Sequence, residues 1–190
     1  GGRRGRSALG PRQWLSFNDY HGHLEATDPA RPRKWDPSQS PTGGVEYLSA
    51  TVKALRAEVG DSNSLTVAAG DLIGGSPFLS GMFHDEPSVE SLETLGLDVS
   101  SVGNHEFDEG SAELLRMQRG GCHPVDGCYY PDQPYDGASF TWLAANVVKK
   151  SNGKPLLPPV AVRAVKGVKI GFIGMTLEAT QTLVNPAGVV

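Results

Sequence analysis

Apolar residues fall into short runs separated by polar and glycine-rich punctuation, and the runs differ in period. Gln13–Phe17 (QWLSF) reads as a short aromatic and apolar strand. Beyond a proline-rich, charged loop at Asp28–Pro41, residues Val45, Leu48, Val52, Leu55 and Val59 recur at intervals of three and four. That is the spacing of one helix face, and Gly60 ends the helix. Ser64–Ala69 (SLTVAA) is a buried strand, Glu86–Leu95 a weaker helix closed by Gly96, and Val99–Val102 another strand. Glu109–Gln118 makes a third helix, stopped by Gly120 and Gly121. Phe140–Val148, Ala161–Val165 and Val168–Met175 complete the pattern as strands. The last of these alternates little, so both its faces are expected to be covered. The order β-α-β-α-β-α-β-β-β is that of an α/β domain that opens with crossover units and ends with adjacent strands. No internal repeat and no linker divides it.

Length and charge narrow this picture. A chain of 190 residues supports one sizeable core but not two comfortable ones. No apolar run approaches the roughly 18 residues of a membrane span. Net charge is −4, and the first twelve residues, GGRRGRSALGPR, hold four arginines and no acid; removing those four positive charges leaves −8 for residues 13–190. An acidic body argues against a nucleic-acid-binding surface. Residues 1–12 are expected to be a basic, disordered tail, with a short contact to nucleic acid or an anionic surface as the alternative. The tail has no apolar h-region and no initiator methionine, so it is not a signal peptide as it stands.

Cys122 and Cys128 bracket a loop containing Pro124 and Gly127. A tight loop brings its ends together, which favours a disulfide and with it an oxidising compartment. Two other readings stay open: a Cys/His metal site with His123, short of a fourth ligand, and free buried thiols.

Three polar segments leave successive predicted strands: FNDYH (Phe17–His21), AAGD (Ala68–Asp71) and GNHE (Gly103–Glu106). In an open α/β sheet the ligand site lies beyond the carboxyl ends of the strands, so these junctions are expected to share one rim. Asp19 and His21 are two apart, and in extended backbone such residues point to one side, where a carboxylate and an imidazole can grip one metal ion. Asp71 offers a carboxylate able to bridge two ions, and Asn104 a neutral amide oxygen. Mixed nitrogen and oxygen donors suit zinc, manganese or iron better than calcium. Each piece has a plainer reading. Asp19-x-His21 also fits a strand-end turn, Asp71 and Asn104 fit Asx-turns after glycine, His105 fits a hydrogen-bonded core histidine, and Asp108 fits a cap for the helix near Glu109. The coincidence at three successive strand ends favours the site.

SFNDYHGHLE, AAGDLIGGSPFLSG, LGLDVSSVGNHEFDEG, TWLAANV and GVKIGFIGMTLEAT, in that order, resemble the first part of the metallophosphoesterase domain of secreted 5'-nucleotidases, a group that includes UDP-sugar hydrolases and 2',3'-cyclic phosphodiesterases. The resemblance runs from about Trp14 to Val190 and implies a four-layer αββα sandwich, of which residues 13–190 would be the N-terminal portion. It also implies a centre of two divalent metal ions. Asp19 and His21 would hold the first, Asp71 would bridge, and Asn104 would hold the second. Asn104 and His105 would face the substrate phosphate, with Asp108 fixing the His105 ring. The implied reaction is hydrolysis of a phosphate ester, most simply a nucleoside 5'-monophosphate, in a secreted, periplasmic or cell-surface enzyme.

That chemistry needs what the motifs offer. Paired metal ions neutralise phosphoryl oxygens and acidify a water, and a protonated histidine stabilises charge on the reacting group. A P-loop Gly-Lys-Ser/Thr, a GxGxxG fingerprint and a Gly-x-Ser-x-Gly elbow are all absent from the sequence. The family completes its centre with downstream histidines, including a Gly-His-x-His pair, and the five histidines here (His21, His23, His84, His105 and His123) do not include that pattern. The rest of the catalytic domain and a C-terminal nucleotide-binding domain are therefore expected partners of this stretch. Residues 1–190 alone are expected to be inactive and marginally stable. The rival reading is a truncated, non-catalytic piece with a binding or structural role. Within the enzyme class, the rivals are hydrolases of UDP-sugars, 2',3'-cyclic nucleotides or a sulfur ester.

Overall fold

The computed structural model describes residues 11–26, 43–185 and 188. Most of the basic tail and all of the proline-rich loop lie outside the described residues. Four strands, β1 (Gln13–Phe17), β2 (Ser64–Ala68), β3 (Val99–Ser101) and β4 (Thr141–Leu143), form a parallel sheet in the order β1-β2-β3-β4. The register sets Phe17 against Ala68, Ala68 against Ser100 and Ser101 against Leu143. The carboxyl ends of the first three strands therefore come out side by side.

Parallel neighbours require crossovers, and helices supply them. α1 (Val45–Val59) joins β1 to β2 and is bracketed by Gly44 and Gly60, both at positive φ. A short helix, α2 (Phe78–Gly81), and α3 (Glu86–Thr94) join β2 to β3. α4 (Ser111–Arg119) leads towards β4. α2 escapes sequence periodicity because four residues make barely one turn. α4 begins two residues later than Glu109, with Gly110 at its N-cap. The core between helices and sheet is built from Leu72, Val89, Leu92, Val102, Leu114, Met117 and Trp142, none of them exposed.

β5 (Val160–Val165) and β6 (Val168–Ile173) form a separate antiparallel pair. Lys166 and Gly167 connect them, both at positive φ, as a two-residue hairpin turn demands. The expected strand Phe140–Val148 is shorter than its composition suggests. After Leu143 the backbone turns to the second sheet, with Ala144 N–H donating to Pro158 C=O and Ala145 N–H to Gly174 C=O. β6 does not have both faces buried. Its residues alternate between half-buried and exposed, and Val160, Val162 and Ile173 are 54%, 58% and 70% exposed. Among the described residues, nothing covers that face, and no helix is long and apolar enough to cross a membrane.

Candidate metal centre

The segments leaving β1, β2 and β3 meet through backbone contacts. Asp19 N–H donates to Gly70 C=O at 3.1 Å, His21 N–H to Asp71 C=O at 3.0 Å and Gly22 N–H to Leu72 C=O at 3.2 Å, so the first loop runs along the second. The second and third loops touch at Gly70 and Gly103. A Cβ on Gly70 would lie 2.3 Å from Gly103 N, and one on Gly103 would lie 2.2 Å from Asp71 Oδ1, so only glycines permit the approach.

This packing gathers the acids and histidines that the strand-end argument singled out. Asp19, His21 and Asp71 each offer a donor atom within 4.8 Å of the others. His21 Nε2 is 3.8 Å from Asp19 Oδ1. The pairing does not arise from extended backbone, as the two-residue spacing suggested. Asp19, His21 and Asp71 all lie in the left-handed region, with φ of 55°, 46° and 52°. Three non-glycine residues held there at one rim are strained, and such strain persists where the surroundings over-determine it, commonly at functional sites.

Hydrogen bonds fix the chemistry of these groups. His21 Nδ1 lies 2.7 Å from the carbonyl oxygen of Gly74. A carbonyl only accepts, so Nδ1 carries a proton and Nε2 is the nitrogen turned to the carboxylates, the edge that a metal-ligating histidine presents. Asp71 Oδ1 accepts the N–H of His105 at 2.9 Å, a link to the third loop. Asn104 stands immediately before His105, and its C=O accepts Phe107 N–H. Two carboxylates and one imidazole at one rim form a donor set that fits a divalent transition metal.

His105 packs edge-on against His21, ring centroids 4.8 Å apart. Its Nδ1–H donates to Asp108 Oδ2 at 2.8 Å. The hydrogen bond to Asp108 holds the imidazole above its ordinary pKa against the opposing effect of burial, with Asp108, Asp71 and Glu106 adding charge in the same direction. Asp108 Oδ2 also accepts Gly75 N–H at 2.9 Å. Asp108 is therefore not the cap of α4, whose N-cap is Gly110; the intervening turn directs the carboxylate back to His105.

Two buried acids hold the loops, and neither was singled out from the sequence. Glu106, 2% exposed, accepts N–H groups from Leu72 at 2.8 Å, Asp71 at 3.0 Å and Gly103 at 2.5 Å. Burial pushes its carboxyl up to about 7, although those three hydrogen bonds pull it down. Asp85 accepts Gly74 N–H at 2.9 Å and the Ser80 hydroxyl at 2.6 Å, which steadies the carbonyl that orients His21. The signal for Glu106 in the sequence was its place between His105 and the apolar Phe107. Asp85 carried no such signal. Cys122 and Cys128 are joined in a disulfide, which removes the Cys/His metal reading and the free-thiol reading for that loop.

No family model matches the chain. Endonuclease YhcR of Bacillus subtilis is 40% identical over 179 residues, which cover 94% of this chain and 14% of that protein. An uncharacterized protein of Acinetobacter calcoaceticus is 41% identical over 165 residues, 81% of this chain and 78% of its own length. A 5'-nucleotidase of Vibrio parahaemolyticus is 32% identical across 90% of this chain and 26% of that enzyme. The crystal structure of a 5'-nucleotidase precursor from Thermus thermophilus superposes with a TM-score of 0.67 at 26% identity, covering 88% of this chain and 29% of that one. The chain belongs to the 5'-nucleotidase/metallophosphoesterase family. Its fold is that of the N-terminal portion of the metallophosphoesterase domain, an α/β unit with a parallel sheet. It spans 14% to 29% of the length of the endonuclease and the two 5'-nucleotidases given above.

Proposed function

We propose that this chain carries the substrate-facing half of a metal-dependent 5'-nucleotide phosphohydrolase that works outside the cytoplasm. The observation that carries the reading is the orientation of His21: Nδ1–H is committed to Gly74, and Nε2 opens towards Asp19 and Asp71. In this account Asp19, His21 and Asp71 hold one divalent ion, and Asp71 with Asn104 contributes to a second. Bound there, such ions supply neutralisation of phosphoryl oxygens and acidification of water.

The chain's own groups do the rest. His105, kept protonated by Asp108, donates from Nε2–H to a phosphoryl or leaving-group oxygen and stabilises the negative charge that develops as the ester bond breaks. Asp108 holds the ring by its Nδ1–H, so the donating edge stays turned away from the glycine loop. Gly74 and Gly75 approach the dyad closely because neither carries a side chain. Further metal ligands and the recognition of the base belong to the rest of the enzyme. The disulfide, and a Listeria monocytogenes relative named as a cell wall protein, support an extracytoplasmic site of action.

The test is a metal analysis and phosphatase assay on the longest natural form, comparing adenosine 5'-monophosphate, UDP-glucose and a 2',3'-cyclic nucleotide. Metal-dependent hydrolysis of the monophosphate faster than that of the other two, each followed by its own products, supports the reading. Turnover of none of the three, with metal bound, contradicts it.

A further inference from the structure

Three segments meet behind the His105–Asp108 dyad: the turn before α3, the start of α4 and the disulfide loop. His84, from the first, stands between Glu109 of the second and Asp126 of the third. The geometry points to a proton-operated latch, in which charged His84 ties the disulfide loop to the start of α4 and releases the loop on losing its proton.

Both ring nitrogens of His84 face acids. Nδ1 lies 2.6 Å from Glu109 Oε2, and Nε2 lies 2.9 Å from Asp126 Oδ2. An ionised carboxylate only accepts, so each bond needs an N–H, and only the imidazolium carries two. A neutral ring would turn a lone pair on one of the two acids.

The neighbouring charges leave this task to His84. Arg116 engages Glu113 and Glu86, at 2.6 Å each. Among the described residues, no lysine or arginine lies within ion-pair distance of Glu109 or Asp126. His123 stacks on His84, with centroids 3.8 Å apart and planes 16° from parallel. Its Nδ1 accepts the N–H of Asp126 at 3.1 Å, so that nitrogen carries no proton, and the stack sets one cation over one uncharged ring. Such a stack is attractive only while His84 is charged. Tyr129 faces His84 from the same loop, and Asp85, His105, Glu106 and Asp108 lie with it around a small cavity on the other side. Burial alone would lower the His84 pKa. The bonds to Asp126 and Glu109, with the charges of Glu109 and Glu113, outweigh it and hold the ring above its ordinary 6.5. The latch is therefore closed in acid and opens as pH rises through that raised value.

Opening moves the loop rather than α4. The Asp126 side chain is 56% exposed against 43% for Glu109, and it sits on a segment closed on itself. The Cys122–Cys128 bridge and paired backbone bonds between His123 and Gly127 make that closure. Arg116 holds the root of the loop at Gly121 C=O. Beyond the root, Tyr129 donates to Met82 C=O at 3.2 Å and packs edge-on against Phe83, so the loop hangs from the turn that carries His84. Both ends of the latch adjoin residues that shape the site: His84 precedes Asp85, which holds Gly74 N–H, and Glu109 follows Asp108, which holds His105. The latch itself needs no metal at the rim.

The test is an NMR titration of the longest natural form across about pH 5 to 9, following the His84 ring and the backbone amides of residues 123–129. The His84 midpoint is expected above 6.5, with the loop amides shifting at the same midpoint. Asp126→Asn should lower that midpoint, and in His84→Gln protein the shift of the loop should disappear. A His84 midpoint at or below 6.5, or loop amides that stay fixed across it, overturns the latch, and neither result needs a variant to fold. Loop shifts that persist in His84→Gln protein also overturn it. None of these readings depends on bound metal or turnover, so failure of the latch and failure of the phosphohydrolase reading are separate results.

Discussion

His21 and Gly74 are joined by a 2.7 Å hydrogen bond from the imidazole Nδ1–H to the backbone carbonyl, and this bond sets which nitrogen faces the acids of the rim. Gly74 is itself at φ +81°, and a Cβ there would lie 2.2 Å from His105 C=O and 2.7 Å from Asp108 Oδ2. Gly74→Ala should therefore disturb His21 and the dyad together. Backbone strain alone should cost about 1–3 kcal/mol, read as a lower melting temperature, and metal affinity should fall with it. A variant with unchanged melting and metal binding would show that the loop does not orient His21.

Gly103→Ala makes a sharper test of loop contact. The added methyl carbon would lie 2.2 Å from Asp71 Oδ1, so the carboxylate must move. The expected result is a loss of about 1–3 kcal/mol in stability from overpacking, with weakened metal binding measured by calorimetry.

The dyad predicts a pH profile. Asp108 raises the His105 pKa, so the protonated, donating form persists to higher pH than in an isolated imidazole. Asp108→Asn removes the carboxylate, lowers that pKa, and should move the alkaline limb of activity to lower pH in the whole enzyme. An NMR titration of the His105 ring checks the same shift independently.

Glu106 predicts a stability profile of its own. Its folded pKa, near 7, lies above the ordinary carboxyl value of 4.5, so the folded state binds the proton more tightly than the unfolded chain. Its contribution is fully present below about pH 4.5 and is lost as pH rises through 7. In Glu106→Gln protein that decline should be absent, as measured by denaturant midpoints across pH 4 to 8.

The meeting of the candidate residues was legible in the sequence because each stands shortly after an apolar run, and parallel register brings strand ends together. The helix and strand order followed from periodicity for the same reason. Other features depend on long-range contacts that no local pattern reports. Asp85 contacts Gly74 and Ser80 only after the chain has turned through α2, and Glu106 is defined by three N–H groups from two loops. The reading of Asp108 as a helix cap failed because Gly110, not the acid, ends the turn. The burial expected for β6 failed because a short apolar run does not say how many layers cover it.

That uncovered face carries a prediction. Val160, Val162, Ile173 and Met175 are all more than half exposed. Contiguous apolar surface beside open strand edges drives pairing with other chains. Residues 1–190 produced alone should associate in sedimentation experiments and show negligible phosphatase activity. A monomeric sample that melts cooperatively and turns over nucleotides would contradict this.

The central claim is that Asp19, His21 and Asp71 hold the reactive metal while His105 acts on the substrate. It is tested most directly by measuring bound metal and phosphate release together in the longest natural form and two variants. Asp71→Ala should lose the rim metal and the activity, whereas His105→Ala should keep its metal and lose about 10²- to 10⁴-fold in turnover, the scale of a positioned acid. Loss of metal from the His105→Ala protein, or activity retained by Asp71→Ala, would contradict the assignment.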